Sequence, residues 1–334
     1  MPCKYKGKGN DVPPLRIRTD GNFMRYKISD DILLFCEDNM VTMGRMRDGM
    51  VDVILTSPFY STNKKAGNSR TLLNTRVKIN QYDYVRYDVF VDNMTDGEYM
   101  DYTAKLFMEF DRILSKNGCI LYNMSYGAEN PDLMVKAVNR IITATPFTMA
   151  DIIAWKKSTA MPNSCSSNRL TRVVEYIFVL CRKDELKTFK SNKKITSYRK
   201  TGQPAYENIN NFVEARNNDG PCPFNKATYS TDLCRRLLEI YAPAGCTVYD
   251  PFSGSGTTLL QCAKMGLRCI GSEISENQCG FAKDRILKEM CWGDSGDGSP
   301  DDGDVFGAHG GENTIVGYNI GGVIRAVNER ASAV

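Results

Sequence analysis

The chain has 334 residues, a formal charge of +4 and ordinary apolar and charged fractions, a size that suits one large α/β domain with an appendage or two modest domains. Its only histidine is His309, in a Gly- and Asp-rich tail, which excludes chemistry built on a core histidine: a Ser-His-Asp triad, a His-ligated zinc or a His general base. Twelve cysteines are scattered without a Cys-x-x-Cys pair, and no apolar run approaches the roughly 20 residues of a membrane span. The expectation is reduced, mostly buried thiols, no metal site, no membrane partner, and an intracellular protein of the cytoplasm or, if prokaryotic or viral, the nucleoid.

Residues 1–30 are polar and basic and are expected to form an arm. The β-branched run Asp52–Thr56 predicts a buried strand. Glu98–Leu114 sets Leu106, Phe107, Phe110, Ile113 and Leu114 on one helical face, with Asn117-Gly118 as its stop. Cys119–Met124 is a strand, and Pro131 opens a helix carrying Leu133, Met134, Ala137, Val138, Ile141 and Ile142 inward. Ala150–Trp155 and Glu175–Cys181 read as two further strands. Residues 182–222 then change character: basic side chains crowd together with Phe189, Tyr198 and Tyr206 between them. A second block starts near Pro223. Ser230 or Thr231 caps a helix bearing Leu233, Leu237, Leu238 and Tyr241. The strand Thr247–Asp250, a Gly-rich turn, a helix through Met265, the strand Arg268–Ile274 and the helix Ser275–Met290 follow. Strand–helix–strand order implies a parallel sheet. The remainder, 291–334, holds seven acidic and two basic groups, so residues 1–290 carry a net +9. A basic body suits a polyanionic partner, although ordinary solvated surface explains the charge equally well.

Two motifs carry chemistry. The first is Y-D-P-F-S-G-S-G-T-T, Tyr249–Thr258, in which a strand ends at Asp250 and Gly254 and Gly256 let backbone approach a ligand. Glu273 ends the next strand 23 residues after Asp250, as a ribose-binding carboxylate would. A dinucleotide fingerprint would need glycine where Leu259 stands, and a P-loop would need a lysine that is absent. The second is T-S-P-F-Y, Thr56–Tyr60, directly after the strand Asp52–Leu55. Taken alone it is an ordinary turn.

Together these motifs resemble those of S-adenosylmethionine-dependent DNA amino-methyltransferases. Asp250, Phe252, Gly254, Gly256, Thr257, Thr258 and Glu273 match the nucleoside-binding loop and its partner acid. Ser57, Pro58, Phe59 and Tyr60 match the catalytic Asp/Asn/Ser-Pro-Pro-aromatic element, with Phe59 in place of the usual second proline. F-C-E-D-N-M (Phe35–Met40) resembles the family's Gly-Asp element, Asp38 being the acid and Glu37 standing for glycine. D-I-I-A-W-K-K-S…M-P-N-S (Asp151–Ser164) and E-Y-I-F-V-L (Glu175–Leu180) resemble segments of cytosine-N4 members, and P-F-N-K-A-T-Y-S-T-D-L (Pro223–Leu233) resembles the element at the methionine end of the cofactor, with Asn225 where histidine is common.

The resemblance implies an α/β fold of Rossmann-like methyltransferase type, mainly parallel, with helices on both faces and a circularly permuted motif order. The implied layout is an arm (1–30), a catalytic domain (31–290, with a catalytic half 31–181, a target-recognition segment 182–222 and a cofactor half 223–290) and an acidic tail (291–334). It implies S-adenosylmethionine as cofactor and double-stranded DNA as partner, and leaves the oligomeric state open. Ser57 is the form typical of cytosine-N4 enzymes, where adenine-N6 enzymes more often carry Asp. The amino nitrogen's lone pair is delocalised into the base, and hydrogen-bond acceptors turn it toward sp³ character while an aromatic stacks on the flipped base. Candidate DNA contacts are Lys64, Lys65, Arg70 and Arg76 after the catalytic motif and Lys190, Lys193 and Lys194 in the basic segment. Alternatives from other classes stay open: an RNA or protein methyltransferase, an inactive DNA-binding relative, a nicotinamide oxidoreductase, and a C5-cytosine enzyme using Pro221-Cys222 or Pro2-Cys3.

Overall fold

A computed structural model describes residues 24–59, 94–127, 130–160, 162–164, 166–220, 222–225 and 228–292. Nearly all of the arm, the basic stretch 61–92 and the acidic tail from 293 lie outside the described residues. In chain order the elements are β1 (Met24–Lys27), β2 (Ile32–Cys36), α1 (Asn39–Arg45), β3 (Val51–Thr56), α2 (Asp96–Ile113), β4 (Leu114–Met124), α3 (Leu133–Ala144), β5 (Phe147–Lys157), β6 (Val174–Arg182), a 3-10 turn (Lys183–Glu185), β7 (Ile195–Tyr198), β8 (Pro204–Tyr206), β9 (Phe212–Ala215), α4 (Thr231–Tyr241), β10 (Thr247–Asp250), α5 (Thr257–Met265), β11 (Arg268–Glu273) and α6 (Glu276–Trp292).

Nine strands form one sheet in the order β1-β2-β11-β10-β3-β4-β6-β5-β9. The central run from β2 to β4 is parallel, while β6 is antiparallel to both β4 and β5. Side chains alternate across the pleat, so Val53 and Leu55 of β3 point into one core and Ile54 into the other. The first core is closed by α4, α5 and α6 through Leu233, Leu237, Leu260 and Ile286. The second is closed by α1, α2 and α3 through Met43, Phe107, Phe110 and Ile141. The architecture is therefore the expected Rossmann-like one, with helices on both faces. No helix among the described residues is long and apolar enough to cross a membrane. The described cysteines are all free, and most are buried.

Three local expectations change. The helix expected to run to Leu114 ends at Ile113, and β4 begins in the next residue. Asn117-Gly118 is a kink inside β4: Asn117 has φ 58°, and a Cβ on Gly118 would lie 2.8 Å from the Asp52 carbonyl oxygen. Second, the last residues assigned to the arm, Met24–Lys27, pair antiparallel with β2 and belong to the sheet. Third, the segment 182–222, given no strand from sequence, contributes one to the sheet. It contains the hairpin β7–β8 and also β9, which pairs parallel with β5.

Candidate active site

The order of the sheet reverses between β10 and β3. From β10 the chain steps outward to β11, with β2 beyond it in the sheet, and from β3 it steps the opposite way to β4. A crevice opens at such a switch point, beyond the strands' carboxyl ends. Both sequence motifs lie there.

β10 ends in Asp250, 1% exposed, and four donors meet its carboxylate. Oδ1 accepts from Thr56 Oγ1 (2.9 Å) and the Phe252 backbone N–H (3.1 Å), and Oδ2 accepts from Tyr229 OH (3.1 Å) and Thr258 Oγ1 (2.6 Å). Burial pushes the Asp250 carboxyl above the usual carboxylate range, and these hydrogen bonds oppose the rise. The bond from Thr56 ties the end of β3 to the end of β10. Gly256 has φ 76°, and a Cβ there would lie 2.7 Å from Ala282 Cβ, so glycine lets α6 pack against the loop. Gly254, φ 49°, donates its N–H to Glu273 Oε2 at 2.9 Å, and Ser275 N–H donates to Glu273 Oε1 at 2.9 Å. The carboxylate at the end of β11 thus fixes the Gly-rich loop and lines the cleft. Next in the sheet, β2 leads to Asp38, which caps α1 by accepting from Met40 N–H at 2.8 Å. Its neighbour Glu37 pairs with Arg45.

On the other side of the switch point, Ser57 follows β3. Asn123, near the end of β4, donates from Nδ2 to Ser57 Oγ (3.3 Å) and to Glu175 Oε2 (3.0 Å). Glu175, at the start of β6, forms an ion pair with Lys157 at the end of β5. The Phe59 ring meets Tyr99, Tyr102 and Phe252 at centroid distances of 5.5, 5.6 and 5.9 Å, and Tyr99 OH donates to the Phe59 carbonyl at 2.9 Å. Tyr102 OH and Asn39 bond to each other, Asn39 Nδ2 donates to the Pro251 carbonyl (3.3 Å), and burial pushes the Tyr102 phenol up to about 12. In place of a second proline, Phe59 is thus the aromatic joint between the Ser57-Pro58-Phe59 turn and the Gly-rich loop.

A cleft of about 320 Å³ spans both sides. Of the residues singled out from sequence, Asp38, Ser57, Pro58, Phe59, Phe252, Gly254, Thr257 and Glu273 line it. Asp250, Gly256 and Thr258 are buried behind its wall and shape it instead. Tyr60, Lys64, Lys65, Arg70 and Arg76 lie outside the described residues. Lys190, Lys193 and Lys194 are placed away from the cleft. The flanking Asn192 donates its N–H to the Ile240 carbonyl and Nδ2 to those of Glu239 and Ala242, at the end of α4, where the chain enters β10. That is the amino edge of the sheet, opposite the cleft. Basic composition alone could not tell one edge from the other. Sequence reasoning passed over Asn123, Lys157 and Glu175; the last two sit inside segments noted for their resemblance to cytosine-N4 enzymes. No cysteine among the described residues lines the cleft, and Cys222 is buried elsewhere.

The family model described as DNA methylase matches residues 51–284, which include both motifs and every strand from β3 to β11. The chain belongs to this family. This methylase is a DNA amino-methyltransferase: DNA is its substrate and S-adenosylmethionine its methyl donor. It is 22% identical over 279 residues to the Type II methyltransferase M.MthZI of Methanothermobacter thermautotrophicus, covering 75% of this chain and 76% of that one. It is 32% identical over 144 residues to the Type II methyltransferase M.SmaI of Serratia marcescens, covering 42% and 47%. Among solved structures it shares its fold with PvuII DNA methyltransferase (cytosine-N4-specific), with a TM-score of 0.52 and 15% identity over 76% of this chain and 92% of that one. The cleft suits the donor. Gly254 keeps the loop open, since a Cβ there would stand 2.9 Å from Asn225 Nδ2, and Glu273 and Asp38 offer acceptors along one row of strand ends.

Proposed function

We propose that this methylase transfers the methyl group to N4 of a cytosine turned out of duplex DNA. One observation carries the reading: the Thr56–Asp250 hydrogen bond pins β3 to β10, so that Ser57-Pro58-Phe59 faces the Gly-rich loop across a single cleft. When bound, S-adenosylmethionine supplies a methyl group on a sulfonium, an electrophile that needs no covalent enzyme intermediate. Glu273 would hold the donor's ribose, Asp38 would accept from its adenine amino group and Phe252 would flank its base, all three lining the cleft. Ser57 Oγ and the Pro58 carbonyl accept the two N–H bonds of the target amino group, concentrating its lone pair toward the methyl. Tyr60 stacks on the extracted base. Serine at position 57 supports cytosine over adenine.

DNA approaches the carboxyl edge of the sheet. There the connection between β5 and β6 exposes Arg169 and Arg172, and these replace Lys190, Lys193 and Lys194 as phosphate contacts among the described residues. The acidic tail is dispensable for turnover. Nucleoside mass spectrometry of DNA incubated with protein and S-adenosylmethionine tests the reading. N4-methylcytosine is expected; N6-methyladenine in its place overturns the choice of base, and no methylated nucleoside overturns the activity.

A further inference from the structure

Ser57, just after β3, and Asn123, Glu175 and Lys157, on β4, β6 and β5, follow four neighbouring strands in sheet order, and all four residues line the cleft. They form one continuous polar row: Asn123 Nδ2 bonds Ser57 Oγ at 3.3 Å and Glu175 Oε2 at 3.0 Å, and Glu175 Oε1 takes the Lys157 ammonium. The row fixes its own polarity. The carboxylate accepts only, so the Asn123 amide must turn its NH₂ toward Glu175; the flipped amide would set oxygen against oxygen. Lys157 and Glu175 are largely buried, so the pair is held in place rather than waving in solvent. The ammonium has three donors, of which Glu175 uses one, and Nζ also lies 5.2 Å from the centre of the Trp155 ring.

We infer that Lys157 is a specificity-determining residue that donates to the acceptor edge, N3 and O2, of the flipped cytosine, with Glu175 and Asn123 as positioning residues that set it at the correct reach from Ser57. This rests on the cytosine-N4 reading. Cytosine carries its amino group, N3 and O2 in sequence along one edge. With the amino group on Ser57, the two ring-edge acceptors extend along the row toward Lys157. Adenine in the same place offers N1 but then a C–H where cytosine has O2, leaving a buried ammonium donor without its acceptor. Sites that pair a substrate's polar atoms discriminate strongly against analogues that lack them.

The test compares wild type with Lys157→Met, Lys157→Arg and the charge-neutral pair Lys157→Met/Glu175→Gln, using the full chain and bulk unmethylated DNA. Single-turnover methylation is followed by nucleoside mass spectrometry, with thermal melting and calorimetry of S-adenosylmethionine binding alongside. In Lys157→Met, N4-methylcytosine formation should fall about 10- to 100-fold, the loss of one charged hydrogen bond. The ratio of N4-methylcytosine to N6-methyladenine should fall as well, with donor affinity unchanged and Lys157→Arg restoring most of the rate. The double variant carries no unpaired carboxylate and should show the same loss at wild-type melting temperature. The inference is overturned if wild type makes N4-methylcytosine and either methionine variant, folded, matches it in rate and product ratio. If wild type makes only N6-methyladenine, the cytosine reading itself has failed.

Discussion

The two sides of the cleft are built by different means. On the proposed donor side, across β10, β11 and β2, carboxylates bond to backbone: Glu273 to the amides of Gly254 and Ser275, Asp38 to that of Met40. On the proposed base side, across β3, β4, β6 and β5, side chains bond to side chains. Backbone bonding fixes the shape of a loop whatever the neighbouring side chains are. A side-chain row can be rewritten one residue at a time. The difference teaches which half holds a constant ligand and which half is free to diverge with its target. Asp250 is the exception that joins them, since its carboxylate bonds both kinds of group and both sides.

The sharpest way to break the comparison is therefore at Asp250. Asp250→Ala would leave four donors around a buried void, each unmet buried group costing about 1–3 kcal/mol. A drop in stability of several kcal/mol, with loss of both donor binding and turnover, is expected in denaturant titration and calorimetry. Asp250→Asn should fold, because its amide NH₂ can face the Tyr229 and Thr258 hydroxyls, which can rotate to accept. The raised Asp250 pKa also has a sign. Its folded value lies above its unfolded one, so burial of the neutral acid favours folding at low pH, and that advantage is lost as pH rises through the folded value. Stability of wild type relative to Asp250→Asn should fall across that window and level off above it.

Next comes Ser57→Ala, which acts on the base side alone. Losing an acceptor aimed at the reacting amino group should cost roughly 10²-fold or more in single-turnover rate, with donor affinity held within about twofold (RT ln 2 being small beside any hydrogen bond). Glu273→Ala acts on the donor side alone. Removing charge-assisted hydrogen bonds should weaken S-adenosylmethionine by about 10- to 100-fold in calorimetry, while turnover at saturating donor changes far less. If each variant impaired both quantities equally, the division of labour would be wrong. The smallest effect is expected at the amino edge of the sheet. Charge reversal at Lys193 and Lys194 should leave DNA affinity nearly unchanged, whereas reversal at Arg169 and Arg172 should weaken it and flatten its salt dependence by about one unit of slope per lost phosphate contact.

The parts legible in the sequence were those with local signatures. The strand–Gly turn–helix at Tyr249–Thr258 and the amphipathic helices announced themselves through turn chemistry and a 3.6-residue period. The Gly-rich wall of the cleft was accordingly legible as a turn at a strand end, although Asp250 and Thr258 lie buried behind that wall and do not line the cleft. The base half was only partly readable. Asn123, Glu175 and Lys157 are ordinary polar residues at strand ends, brought together by β6 inserting between β4 and β5, and no local pattern records that insertion. The short edge strands β1 and β9 were missed because four residues give too little alternation to detect. Asn117-Gly118 was read as a helix stop because the same dipeptide serves equally for a kink within a strand.

The strand order has a consequence for synthesis. β2 and β3 are among the first strands made, yet they do not pair with each other; β11 and β10, among the last, fill the space between them. Thr56 and Asp250, whose bond closes the site, are separated by 194 residues. A nascent chain that has emerged only as far as Gly245 therefore carries two open strand edges where the middle of the finished sheet will be. Such edges are templates for foreign strands, and contacts of long sequence separation form slowly. Until Glu273 leaves the ribosome the cleft lacks one of its walls, and the stretch before that moment is when the growing chain most needs shielding from its neighbours.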